Sequence, residues 1–145
     1  MEKILDIDIV CQSLIQLKGV FQFDPDKNIY SQKHINDNPY QTQWMHYDRI
    51  EIEYFKEHKK GFYREIYESG KLRRELPFIL ADDSTTYLAH GLEKLYYEDL
   101  DSEGEETYTI IEENEYQYGL AKGIWKSYSI DGGLLSENYN AEIIP

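Results

Sequence analysis

Apolar and polar side chains alternate along several stretches of the chain, a pattern typical of half-buried β-strands. Within residues 49–55, Ile50 and Ile52 alternate with glutamates, and residues 20–23 also have the composition of a strand. The stretch from 34 to 43 is polar and contains an Asn-Pro pair, which indicates a loop. The pattern therefore predicts a mainly β protein.

An internal repeat extends this prediction. Residues 61–78 read GFYREIYESGKLRRELPF, and residues 123–140 read GIWKSYSIDGGLLSENYN. The two segments align without a gap, with glycine, aromatic, basic, turn-glycine, leucine and glutamate positions in common. A third copy begins at Gly91 with GLEKLYYED, and an acidic stretch lengthens its turn. Each copy predicts a β-hairpin, since Ser-Gly and Asp-Gly pairs suit a tight turn between strands.

Strand alternation assigns the repeat residues to two faces. One face is apolar, basic, apolar in all three copies: Phe62, Arg64 and Ile66; Leu92, Lys94 and Tyr96; Ile124, Lys126 and Tyr128. The other face of the first copy carries Tyr63, Glu65 and Tyr67. Glu75 and Glu137 recur at one repeat position, where each is expected to pair with the basic residue of its own hairpin, Arg64 or Lys126.

Residues 1–60 contain no clear copy of the repeat. At their start, Ile7 and Ile9 alternate with aspartates, which favours a strand, whereas Val10, Leu14 and Leu17 fit a helical stripe. This half forms either degenerate hairpins that extend the sheet or a cap on its end. Because no linker divides the chain, we expect a single domain over residues 1–145, with three hairpin repeats in residues 61–140.

The repeat resembles the MORN repeat, specifically its bacterial variant. Gly61, Tyr63, Arg64, Tyr67, Gly70, Lys71, Leu72 and Glu75 match that pattern, as do Gly123, Trp125, Lys126, Tyr128, Gly132, Leu134 and Glu137. The middle copy matches in its first half, through Gly91, Lys94, Tyr96 and Tyr97, and departs from the pattern at its turn. The resemblance implies antiparallel hairpins stacked into an elongated twisted sheet. The helical stripe in the N-terminal segment leaves an added helix there as one alternative.

The charge of the chain narrows the classes of partner. Lys and Arg number 15 and Asp and Glu 28, a formal net charge of −13. This balance opposes direct binding to nucleic acid or to anionic lipid and suits a basic partner. No apolar run approaches the ~20 residues of a membrane helix, and no signal peptide is recognisable. With one cysteine, Cys11, the sequence predicts a cytoplasmic protein.

The negative charge is concentrated between Glu98 and Glu115, a segment with nine acidic residues and no basic one. Asp99, Asp101 and Glu103 before Gly104 echo a calcium loop, but Ile110 occupies the position of its bidentate glutamate. The alternatives are a solvated acidic turn and a docking patch for a basic protein. For the docking patch, the candidate partner-binding residues are Tyr96, Tyr97, Glu98, Asp99, Asp101, Glu103, Glu105, Glu106, Glu112, Glu113, Glu115, Tyr116 and Tyr118.

No motif indicates catalysis, a metal site or a cofactor. The four histidines lack the spacing of a zinc site, and Cys11 lies in an apolar segment where a thiol is usually inert. We therefore expect neither an enzyme nor a cofactor-binding protein. Bacterial proteins with the variant MORN repeat are often antitoxin or immunity components, so the resemblance implies an inhibitor of a basic toxin. A scaffold or interaction module without a toxin partner is the alternative.

Overall fold

The computed structural model describes residues 1–34, 47–81, 86–100, 106–129 and 133–140, and most of these residues lie in β-strands. In chain order the strands are β1 (Glu2–Cys11), β2 (Ser13–Asp24), β3 (Ile29–Lys33), β4 (Arg49–Phe55), β5 (Lys60–Ile66), β6 (Leu72–Leu80), β7 (Thr86–Ala89), β8 (Gly91–Leu100), β9 (Glu106–Gln117), β10 (Leu120–Tyr128) and β11 (Leu134–Asn140). A 3-10 turn, Lys56–His58, links β4 to β5. The prediction of a mainly β protein is confirmed.

The first seven strands close into a barrel. Strands β1 to β6 follow one another as antiparallel neighbours, and β7 closes the sheet by pairing in parallel with β1 and antiparallel with β6. Closure encloses the apolar face of the sheet, whose most completely buried large side chains are Ile9, Phe21, Ile52, Leu76 and Phe78. A closed sheet leaves no free edge among its own strands.

Strand β6 is the point at which a second part of the sheet leaves the barrel. Its C-terminal half, from Phe78 onward, pairs with β7, whereas Arg74 and Glu75 pair with Leu95 and Lys94 of β8. Strands β9, β10 and β11 then follow β8 as antiparallel neighbours. We call β8–β11 the extension.

The three sequence repeats form the hairpins β5–β6, β8–β9 and β10–β11. Their shared starting glycine meets different constraints. A Cβ on Gly61 would overlap the backbone oxygen of Glu53 and lie 2.7 Å from the Phe78 ring, whereas Gly91 has a φ of +118°, which side chains rarely adopt. The repeated glycine is therefore required by close packing in one copy and by backbone conformation in another.

The N-terminal helix is not formed, because β1 and β2 occupy that segment. The helix-like spacing of Val10 and Leu14 arises from a tight hairpin in which these two residues are register partners on either side of Gln12. Gln12 adopts a φ of +66°, which reverses the chain. Short spacings of this kind do not distinguish a helix from the two arms of a hairpin.

The elongated sheet inferred from the repeat also differs from what the structure shows. The first repeat hairpin, β5–β6, belongs to the wall of the barrel, and of the strands that the structure describes β8–β11 continue beyond it. The physical reason is the apolar inner face, because a single open layer would leave residues such as Phe21 and Phe78 in water.

Candidate protein-binding surface

The hairpin β8–β9 carries most of the candidate partner-binding residues, and we call it the acidic hairpin. Strand register places Lys94, Tyr96 and Glu98 on one face of β8, opposite Glu113, Ile110 and Tyr108 of β9. We call this the outer face, since it continues the outside of the barrel wall through Glu75, the partner of Lys94. The opposite, inner face carries Glu93 and Asn114, which are both buried.

A buried ion network holds the inner face against β5 and β6. Arg74 contacts the Glu93 carboxylate at 2.6 Å and the Glu65 carboxylate at 3.5 Å. Arg73 also pairs with Glu65, which accepts a hydrogen bond from the Tyr63 hydroxyl at 2.8 Å. The side chains of Glu65 and Glu93 are only 5% and 4% exposed, so their charges depend on these partners.

Asn114 of β9 completes the network by donating from its amide to Glu93 at 3.0 Å. Residues from β5, β6, β8 and β9 thus share one set of hydrogen bonds. Burial lowers the pKa of Arg74, but Glu93 and Glu65 more than offset this and raise it above its usual value. Burial, together with the Glu65 charge, raises the pKa of Tyr63, so its hydroxyl stays protonated as a donor. The acidic hairpin is therefore fixed to the barrel.

The turn between β5 and β6 supports the outer face of the acidic hairpin. The Tyr67 hydroxyl donates to the Tyr96 carbonyl at 2.8 Å, and the Tyr108 hydroxyl donates to the Leu72 carbonyl at 2.5 Å. Ser69 donates to the Glu98 carboxylate at 2.8 Å. The rings of Tyr96 and Tyr108 stack with their centroids 5.4 Å apart. The aromatic side chains on this face are therefore held in place, and Tyr108 remains 38% exposed.

Further along the outer face, Glu113 accepts a hydrogen bond from the Tyr128 hydroxyl at 2.5 Å. Glu115 is exposed and lies beside Gly123, where its carboxylate approaches the backbone nitrogen of Ile124 at 3.5 Å. The Glu113 hydrogen bond raises the pKa of Tyr128. These contacts join the acidic hairpin to β10 and leave acidic groups at the surface.

The structure divides the candidate residues between two faces. Tyr96, Glu98, Glu113 and Glu115 belong to the outer face, whereas Tyr97, Glu112 and Tyr116 alternate onto the inner one. Tyr118 lies in the β9–β10 turn with a φ of +49° and is 59% exposed. Asp99 and Glu106 lie at the distal ends of β8 and β9. The predicted residues Asp101, Glu103 and Glu105 fall outside the residues that the structure describes.

Register also reveals a row of alternating charge across the outer face. It consists of directly paired residues on seven strands that are neighbours in the sheet, and we call it the charge row. Its members are Glu51, Arg64, Glu75, Lys94, Glu113, Lys126 and Glu137. Arg64 contacts Glu75 at 2.8 Å, which confirms the pair expected in the first repeat, and it contacts Glu53 at 3.1 Å. Lys126 and Glu137 are register partners in the last repeat.

The buried network was missed by sequence reasoning. The alternation in the first repeat did place Glu65 beside Tyr63 on an aromatic face, and a lone carboxylate there signals a buried partner. The signal did not identify Arg74 or Glu93, because their approach depends on how β8 leaves β6.

Among the described residues, no group of three or more His, Cys, Asp or Glu side chains is arranged to hold a metal ion. In the same part of the chain, no helix has the length and apolar character needed to cross a membrane. No known protein family, curated protein or solved structure matches this chain. A proposal for its function therefore rests on its residues and their geometry.

Proposed function

We propose that this protein is an immunity- or antitoxin-type inhibitor that binds a basic toxin stoichiometrically in the cytoplasm and performs no catalysis itself. The observation that carries the proposal is the acidic hairpin: its outer face combines Tyr96 and Tyr108 with Glu98, Glu113 and Glu115, and buried ion pairs fix it to the barrel. The resemblance of the three hairpins to bacterial MORN-variant repeats supports the same class.

Rigidity favours tight binding. A surface that is ordered before the partner arrives loses little conformational entropy on association. The stacked Tyr96 and Tyr108 rings and the hydrogen-bonded Glu98 meet this condition. Tyrosine is also among the residue types that contribute most binding energy at protein interfaces.

The net charge of −13 favours rapid association with a basic partner. Many toxins act on nucleic acid and are themselves basic, since they bind phosphates. An acidic inhibitor therefore gains both electrostatic steering and complementarity at the interface. The same charge weighs against a scaffold that binds anionic membranes.

The proposal is tested by capturing partners of the full chain from its native host and identifying them by mass spectrometry. The test variant E113K/E115K reverses two acids of the outer face, and the control E2K/D6K reverses two exposed acids of β1. Both variants carry the same net charge, so a difference between them reports position rather than total charge. Thermal unfolding of each variant checks that it folds.

The proposal expects one basic protein at a 1:1 ratio, captured by the wild type and by E2K/D6K, weakened in E113K/E115K and released by high salt. Equal capture by both variants would remove the outer face from the interface. Several unrelated partners would favour the scaffold alternative, and capture of no partner would contradict the inhibitor assignment in that host.

A further inference from the structure

The charge row ends at an open edge of the sheet. Its last member, Glu137, lies on β11, which pairs with β10 on one side. Among the described residues, no strand pairs with the other side of β11. As far as the described strands go, peptide groups on that side are available to an additional strand, as in recognition by strand addition.

Strand β11 lacks two of the features that usually protect an edge strand, although its pairing with β10 does contain a register shift at Leu135. Such strands typically carry lysine or proline, which disfavour pairing with another chain. The sequence of β11, LLSENYN, contains neither. Its first two residues, Leu134 and Leu135, are 54% and 69% exposed. An added strand would cover part of this exposed apolar surface.

The charge row specifies what the added strand must carry. From Glu75 to Lys126, each charge of the row faces the opposite sign on both neighbouring strands. Glu137 has Lys126 on one side only. Opposite charges directly across a strand pair stabilise a sheet and like charges destabilise it. The residue that faces Glu137 from a new strand is therefore expected to be basic.

Pairing with β11 of a second copy of this chain does not meet that requirement. Strand β11 contains no lysine or arginine, so β11 of another molecule places no basic residue opposite Glu137 in any register. Antiparallel pairing centred on this position would place two Glu137 carboxylates against each other. The row therefore favours a strand from a different, basic protein.

We infer that β11 is a docking edge onto which an extended segment of the basic partner adds as a further strand, with a lysine or arginine opposite Glu137. This inference deepens the proposed function and rests on it for the nature of the partner. Strand register places Glu137 on the same face of the extension as Glu113, so the charge that would pair with the added strand lies on the outer face of the acidic hairpin.

A peptide titration tests the edge without requiring the partner. The probes are two synthetic heptapeptides that alternate threonine and valine, one with a central lysine and one with a central glutamate. Each is added to isotope-labelled full-length protein, and backbone amide shifts are followed by NMR. The matched variants are E137K and E68K, since Glu68 is exposed and lies outside the charge row.

The inference expects amide shifts centred on β11 and affinity for the lysine peptide about tenfold higher than for the glutamate peptide. E137K should reverse this preference, and E68K should retain it. Absence of shifts on β11, equal affinity for the two peptides, or dimerisation of the free protein through β11 would overturn it.

The two proposals fail in different ways. If the peptides bind as expected but no basic partner is captured, the docking edge stands and the inhibitor function fails. If a partner is captured and hydrogen exchange of the β11 amides is unchanged in the complex, the inhibitor function stands and the docking edge fails.

Discussion

Arg74 lies between two buried carboxylates, those of Glu65 and Glu93, and this arrangement joins the barrel to the extension. Arg64 offers a comparison on the other face of the same sheet, where it also contacts two glutamates. The Glu53 and Glu75 partners of Arg64 are 22% and 28% exposed, so water screens those pairs. The two arginines have similar contacts but different surroundings.

Replacing Arg74 is therefore expected to be far more damaging than replacing Arg64. R74M removes the positive charge that Arg74 places beside the buried carboxylates of Glu65 and Glu93. The variant should lower the free energy of unfolding by about 3–5 kcal/mol. R64M should lower it by no more than about 1 kcal/mol. Urea unfolding of both variants measures the difference. Equal effects would show that the network around Arg74 is screened by water.

Two partly buried tyrosines, Tyr87 and Tyr108, predict a loss of stability at high pH. Burial and the nearby Tyr54 raise the pKa of Tyr87 to about 12, and burial with Tyr96 raises that of Tyr108 to about 12. Tyrosine in an unfolded chain titrates near 10. Between these values the unfolded state releases protons that the folded state retains, so unfolding becomes more favourable as pH rises.

Urea unfolding at a series of pH values, with phenolate absorbance as a second signal, measures this loss. Stability should be constant with respect to these groups below about pH 9 and should fall from about pH 10 to about pH 12. Y87F removes one of the groups and should make the decline shallower. A decline of the same steepness in Y87F would exclude Tyr87 as a contributor.

At the scale of elements, the repeat correctly predicted the hairpins and the face that carries their basic residues. Arg64, Lys94 and Lys126 do lie in one row, because strand pairing converts a repeated spacing into a repeated position. The intervening acids of the charge row were only partly recognised, since Glu113 belongs to the acidic stretch rather than to the matched part of the repeat. The local sequence pattern predicts each hairpin, whereas the register between hairpins depends on how the strands pair in the complete sheet.

The charge row predicts a specific effect of reversing Glu75. E75K would place a third cation between Arg64 and Lys94, turning attractive neighbours into repulsive ones. The expected loss is about 1–2 kcal/mol in the free energy of unfolding, and smaller at high salt. E68K, at an exposed turn position, should change it little. Equal stability of the two variants would show that the row does not contribute.

At the scale of the whole molecule, barrel closure was the feature that sequence reasoning did not reach. It depends on β7, a strand of four residues that pairs with β1 across a large separation in sequence. So short a segment has no periodic signal of its own, and its pairing is favourable only once the neighbouring strands exist.

The acidic, tyrosine-rich character of the candidate surface was readable from the sequence. Its division between two faces was readable along β8, where Tyr96 and Tyr97 alternate, but not along β9, because a register shift at Ile111 interrupts the alternation there.

Inhibition by stoichiometric binding is the central claim, and a neutralisation titration tests it most directly. The activity of the captured basic protein is measured while the full chain is added in increasing molar ratio. The claim predicts a linear fall to the background level at a ratio of one, with E113K/E115K displaced to higher ratios and E2K/D6K unchanged. Full activity of the captured protein in the presence of excess wild-type chain would contradict it.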